Sequence, residues 1–202
     1  IFLGTSFTTL DSNDVFQLRT GLPNGQLTGM AVEQAIRPGG VAVTGTIVNT
    51  NAAVAQLVTT AVTGQSVTVG IAAGQARSPG TVATGGVDFD MVGPGTTSVS
   101  ATIPGFVILP TATVSNITVS APVLTLAAVN NVGSGLHESQ FASLGAGQHG
   151  GVTVRITSSN PGVLLVSPNA TTPGTAFIDV PMANGSTSIS YYTQGVEGQT
   201  GT

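Results

Sequence analysis

Few side chains in this sequence are equipped for chemistry. The carboxylates are Asp11, Asp14, Glu33, Asp88, Asp90, Glu138, Asp179 and Glu197, and the histidines are His137 and His149. Asp88-Phe89-Asp90 reads as strand, which places its two carboxylates on one face. Asp11-Ser12-Asn13-Asp14 is a short, oxygen-rich loop. Either could supply ligands to Ca²⁺, which takes about six to eight oxygens. Neither has the spacing of a known calcium loop. The plainer use is an Asx turn for Asp11 and Asp14 and a solvated strand face for Asp88 and Asp90. Beyond this Ca²⁺ option, no cofactor is implied.

His137-Glu138 and His149 could meet at a metal, but the spacing is not that of ligands on one helix turn. A Ser-His-Asp set is formally available, yet no nucleophile elbow occurs, and the sequence predicts no enzyme. Gly145-Ala146-Gly147 lacks the strand–turn–helix setting of a phosphate loop. Sugar-binding β-modules use aromatic platforms, whereas here aromatics are 4% of the chain and Tyr191-Tyr192 would point to opposite faces of a strand. Asn116-Ile117-Thr118, Asn169-Ala170-Thr171 and Asn184-Gly185-Ser186 fit the N-glycosylation pattern. Such triplets also arise by chance in a chain rich in Thr, Ser and Asn.

Composition narrows the partners. Charged residues are 6% of the chain, against roughly 25% in ordinary soluble domains. Lys is absent, and Arg19, Arg37, Arg77 and Arg155 are scattered singly, so no basic patch exists for nucleic acid or an anionic membrane. Hydrophobic content of 41% is ample for burial. A neutral Thr/Ser/Asn/Gln surface carries little charge repulsion, which suits packing against copies of itself or within a matrix. There is no Cys, so a disulfide scaffold is excluded. No apolar run approaches a membrane span, and no membrane insertion is expected. Ile1-Phe2-Leu3 has no basic region before it, which suggests a removed targeting segment or a fragment.

The elements that must position these groups are strands. Period-two alternation, β-branched residues and Gly/Pro/Asn punctuation predict an all-β chain. Candidate strands are 1–8, 15–20, 41–48, 54–59, 65–71, 80–83, 87–91, 96–103 and 112–120, then 123–128, 140–144, 151–158, 163–166, 175–180 and 186–193. Residues 30–36 and 139–144 have an alternative reading as one or two helical turns, or as loop. Strand number and turn spacing fit Greek-key β-sandwiches of roughly 100 residues.

The chain also repeats itself. Gly39-Gly40-Val41-Ala42-Val43 is answered by Gly150-Gly151-Val152-Thr153-Val154, about 111 residues on, and 64–78 by 174–188 at about 110. A period of that length is a domain. The split falls near Ser120-Ala121-Pro122-Val123, giving units 1–121 and 122–202, and the absence of a Gly/Ser linker predicts little hinge freedom. The first copy continues through 98–103 and 112–119, whereas the second stops at Thr202 before any counterpart. The second sandwich is therefore expected to lack its last strands and to need a neighbour, either a following repeat or another chain. Ile1, Phe2, Leu3 and Phe7, in the apolar opening segment, are the candidate donor strand for such self-assembly.

Gly-Gly-Val-x-Val, then Ser158-Ser159-Asn160-Pro161-Gly162-Val163-Leu164-Leu165-Val166, then Gly174-Thr175-Ala176-Phe177-Ile178-Asp179-Val180, resembles the tandem Ig-like repeats of large secreted bacterial surface proteins. The resemblance implies two Ig-like Greek-key sandwiches, a cell-surface or extracellular location, and stalk, adhesin or fibre building without enzyme activity. Partners expected on this reading are other copies of the chain. The alternative is an adhesion module that grips a glycan or host protein through its end loops.

Overall fold

The computed structural model describes residues 1–128 and 131–201. Thr202, where the second copy stops, lies outside the described residues. The chain is all-β, with two single 3₁₀ turns at Val82–Thr84 and Pro110–Ala112 as its helical elements among the described residues. It divides into two units, Ile1–Ala121 and Pro122–Thr202.

Unit 1 contains β1 (Ser6–Thr8), β2 (Asp14–Phe16), β3 (Gly21–Pro23), β4 (Met30–Glu33), β5 (Val43–Asn49), β6 (Ala55–Val58), β7 (Thr63–Gly64), β8 (Ser66–Ile71), β9 (Val87–Met91), β10 (Gly95–Thr102) and β11 (Thr113–Ser120). One sheet has the order β1-β11-β10-β5-β8 and the other β2-β9-β6-β7, with β3-β4 as a separate ribbon. Strict alternation explains how both sheets share one core. Val67, Val69 and Ile71 of β8 are buried while Ser66, Thr68 and Gly70 are exposed. With Ile47, Val99, Ala101, Ile117 and Val119 they face Phe16, Leu57, Val87, Phe89 and Met91 of the second sheet in a single apolar cluster. This is a β-sandwich-like arrangement.

The chain changes sheets between β5 and β6, at a corner built on Asn49. Its buried carboxamide Nδ2 is shared among the carbonyls of Asn51 and Ala55 and Gln65 Oε1, at 3.1, 2.6 and 2.6 Å. Thr97 Oγ1 donates to Asn49 Oδ1 at 2.5 Å. Every polar atom of the side chain is thus engaged where the backbone cannot keep both ladders running.

Unit 2 contains β12 (Thr125–Leu126), β13 (His137–Ser143), β14 (Val152–Thr157), β15 (Leu164–Ser167), β16 (Phe177–Met182) and β17 (Ser188–Gly195). Its sheets are β12-β13-β17-β15 and the ribbon β14-β16. Ala142, Val154, Ile156, Val166, Ile178, Met182, Ile189 and Tyr191 form its core.

Three expectations need correction. Residues 30–36 form no helix, because Met30–Glu33 is a strand, and of the two readings of 139–144 the strand holds, as part of His137–Ser143. Residues 80–83 form no strand, because Thr81–Gly86 closes as a 3₁₀ turn ending in left-handed Gly85. The strand expected over 123–128 is reduced to Thr125–Leu126.

Five strands of each unit repeat their pairing. Ile47 opposite Val67 in β5–β8 becomes Ile156 opposite Ile178 in β14–β16. Leu57 opposite Phe89 in β6–β9 becomes Val166 opposite Thr193 in β15–β17. Asp14 opposite Phe89 in β2–β9 becomes Glu138 opposite Thr193 in β13–β17. Turns repeat as well. The Asn51 carbonyl accepts from Val54 and Ala55 N–H, as the Asn160 carbonyl accepts from Val163 and Leu164 N–H. The bond from Val92 N–H to the Val54 carbonyl returns as Val196 N–H to Val163. So β13 to β17 stand for β2, β5, β6, β8 and β9 in turn. Among the described residues, β3, β4, β10 and β11 have no counterpart, and β12 pairs with β13 where β1 pairs with β11.

Candidate functional site

The four aspartates form no common cluster, though Asp14 lies near Asp88 across β2 and β9. Asp11 accepts the Thr8 N–H at 2.8 Å and Thr8 Oγ1 at 2.9 Å, which makes it a turn-closing group. Asp14 accepts the Gly4 N–H at 3.3 Å, and Asp90 accepts from Gln56 Nε2 at 2.7 Å. Asp88 is half-buried on β9, and its Oδ1 has no hydrogen-bond partner. Burial, and then the nearby Asp14 carboxylate, raise its pKa above the ordinary aspartate value. Among the described residues no group of three or more His, Cys, Asp or Glu could hold a metal.

The histidines are separately employed. His137 makes an edge-on contact with Tyr192 at 5.4 Å. His149 Nδ1 accepts the Gly151 N–H at 3.2 Å, so its proton sits on Nε2, which donates to the Ser186 carbonyl at 2.9 Å. This imidazole ties the loop before β14 to the turn before β17. Tyr191 is buried, and burial raises its phenol pKa, while Tyr192 is half-exposed on the opposite face.

The three glycosylation-pattern asparagines are all exposed. Asn116 has φ of 57° in a β11 bulge, where residues 115 and 116 lie across from Ser98 alone. Asn169 Oδ1 accepts from Thr171 N–H and Oγ1, and Asn184 Oδ1 from Gly150 N–H.

The opening segment is placed on its own unit. β1 runs parallel to β11, Phe7 packs 5.5 Å from Phe89, and Ile1 and Leu3 lie against the unit 1 core. The Ile1 amine donates to the Thr111 carbonyl at 3.0 Å. Phe2 is 71% exposed, under the Arg19 guanidinium at 4.4 Å. Donation of this segment to another chain would require it to leave these contacts.

The feature with most capacity to bind lies in unit 2. β14 is paired on one side by β16, and the bond from Ser158 N–H to the Ala176 carbonyl fixes the alternation. The N–H and C=O groups of Arg155 and Thr157 therefore point to the other side. No strand pairs there among the described residues. Beside this edge a groove of about 700 Å³ opens onto Ile156, Val163, Val166, Tyr191 and Thr193, with residues 199–201 also lining it. On the ribbon, Arg155 grips Asp179 through Nε and Nη2 at 2.8 and 2.7 Å and stacks over Phe177 at 4.7 Å. That pairing pulls the Asp179 pKa down by a hydrogen bond and by charge.

In unit 1 the matching place is filled. β10 pairs with β5, Ala101 opposite Ile47 and Val99 opposite Asn49, and β11 follows beyond it. Val99, Ala101, Ile117 and Val119 are at most 5% exposed there. In unit 2 no described strand takes the place of β10. The groove residues were not legible in the sequence, because Ile156, Val166 and Tyr191 read as ordinary core. The shared Asn51 and Asn160 turn was the signal that would have located them.

No protein-family model matches the chain, and no curated protein matches it significantly.

Proposed function

We propose that this chain is a pair of Ig-like Greek-key modules from a secreted, cell-surface structural protein, joined head-to-tail with further modules into a stalk, sheath or filament. The observation that carries this reading is the recurrence of the same five-strand pairing in both units, at the spacing of a domain. The charge-poor surface favours close packing of copies, and the open β14 edge has room for a further strand. Likeness of fold style does not itself assign a function, so the reading rests on these features of the chain.

Size-exclusion chromatography with negative-stain microscopy over a concentration series tests it. End-to-end strings or fibres that grow with concentration are expected. Loss of these on deleting residues 1–9, with unit 1 shown still folded by circular dichroism, would identify the opening segment as an intermolecular donor, and their retention would leave it with β11. Monomers at every concentration would defeat assembly between separate chains.

An adhesion module is the second reading, favoured by one feature. Phe2, Phe106, Val107 and Ile108 are exposed and line a cavity of about 320 Å³ in unit 1, an apolar end loop of the kind a host protein or glycan could engage. Ligand binding abolished by Phe106→Ala would favour it over the structural reading.

A further inference from the structure

We infer that the groove beside β14 is an acceptor site for a two-stranded β-hairpin of the β10–β11 type, delivered on the same polypeptide along the path that residues 199–201 already mark. The inference deepens the structural-repeat reading by naming the element that completes unit 2.

Three observations converge on this occupant. The first is the shape of the site. An apolar groove opens onto core side chains next to a strand edge with free backbone donors and acceptors, and such an edge selects a strand over a globular surface. The second is the filled equivalent. In unit 1 the same edge of β5 is covered by β10, whose residues alternate between buried Thr97, Val99 and Ala101 and half-exposed Ser98 and Ser100. The third is direction. The chain leaves β17 as it leaves β9, since Val196 bonds to Val163 as Val92 bonds to Val54. Counting on from that matched bond, Gln199 falls at the place of Gly95, where β10 begins, and Thr200 and Gly201 at the places of Thr96 and Thr97. Residues 199–201 line the groove.

The register follows from unit 1. The incoming strand runs antiparallel to β14, with the residue equivalent to Ala101 opposite Ile156 and that equivalent to Val99 opposite Ser158. Its backbone takes up the groups of Arg155 and Thr157, as β10 takes up those of Thr46 and Val48. Its inward side chains close the groove over Tyr191 and Val166.

The test appends a second copy of residues 99–120 directly after Thr202, which continues the β10 register without a gap. Residue-resolved amide hydrogen exchange is then followed at concentrations where both proteins are monomeric. In the unextended chain, Arg155 and Thr157 amides are expected to exchange quickly. In the extended chain they should slow by about 100-fold or more, as edge amides do when they enter a cooperative sheet. An extended control carrying Asp at the added copies of Val99 and Ala101 should lose that protection while unit 1 stays protected. Fast exchange at Arg155 and Thr157 in the extended chain, or equal protection in the Asp control, would overturn the inference. So would protection that appears only as concentration rises, because the occupant would then be a second copy. Exchange in monomers is independent of fibre formation, so failure of the filament reading and failure of this one are separately visible.

Discussion

Gly45 and Leu18 compete for one space: a Cβ on Gly45 would run into Leu18 Cδ1. Unit 2 solves the same packing problem the other way round. Val154 holds the place of Gly45, and Ala142 is the next inward residue after Gln140, as Leu18 is after Phe16. A large residue faces a small one in both units, with the roles exchanged between strands, which keeps the packed volume nearly constant. Leu18→Ala is expected to cost about 2–5 kcal/mol through the cavity it leaves. Gly45→Val alone should cost about 1–3 kcal/mol through overpacking. The double variant, which copies the unit 2 solution, should recover at least about 1 kcal/mol of the summed loss. Urea unfolding of the four proteins measures the coupling, and strict additivity would refute the exchange.

This pair also shows where the sequence was readable and where it was not. Alternating apolar residues established β8 and β16, but not at the offset of about 110: Val67 corresponds to Ile178, an offset of 111, whereas 110 would set buried Val67 on exposed Phe177. Along β5 and β14 the match of Gly39–Val43 to Gly150–Val154 slips by two residues: Ile47 corresponds to Ile156, an offset of 109 residues, and Val154 stands at Gly45 instead of Val43. A slip of two leaves every side chain on its original face, so alternation cannot detect it. The turn at Asn51 and Asn160 does, because its hydrogen bonds depend on single positions. The β3–β4 ribbon went unseen because Leu22 and Val32 are more than half exposed and half-buried Met30 alone makes no inward alternation. The aspartates were legible as residues but not as a site, since separation into turn, ladder and half-buried positions is a tertiary property.

Asn49 should be the most sensitive polar side chain of unit 1. It is 2% exposed and holds the sheet-switching corner to β6, to Gln65 ahead of β8, and to β10 through Thr97. Asn49→Leu leaves the Ala55 carbonyl with the Gln65 Nε2 bond alone and strips Thr97 Oγ1 of its 2.5 Å acceptor. A loss of about 2–4 kcal/mol is expected, above the usual cost of one hydrogen bond because several buried partners are stranded together. Thr97→Val removes its bonds to Asn49 Oδ1 and Thr50 Oγ1 and should cost about 1–2 kcal/mol. Thermal unfolding followed by circular dichroism compares them, and an Asn49→Leu effect no larger than that of Thr97→Val would remove the corner role.

Asp88 is expected to oppose folding at neutral pH. Its carboxylate is half-buried, lacks a partner at Oδ1, and lies near the Asp14 charge, so its pKa is raised in the folded state. An unfolded aspartate titrates near about 3.9. Between that value and the raised folded value, the folded protein retains a proton that the unfolded chain has released. Stability therefore falls as pH rises through this window, and the cost is complete above it. Asp179 and Glu33 behave oppositely, because their arginine partners lower their pKa values; their contribution is present above the ordinary carboxylate range and is lost as pH falls. The wild-type profile mixes both signs, and the difference between Asp88→Asn and wild type isolates one. Asp88→Asn should raise the melting midpoint at pH 7, and the gain should shrink on acidification and vanish by about pH 3. A neutral-pH loss, or a difference that does not change with pH, would show that the Asp88 carboxylate is stabilised by a group other than those packed around it here. Repeating the pair of melts with Ca²⁺ and with chelator separates the remaining possibility: a calcium-dependent rise in the wild type that Asp88→Asn abolishes would place an ion at this strand.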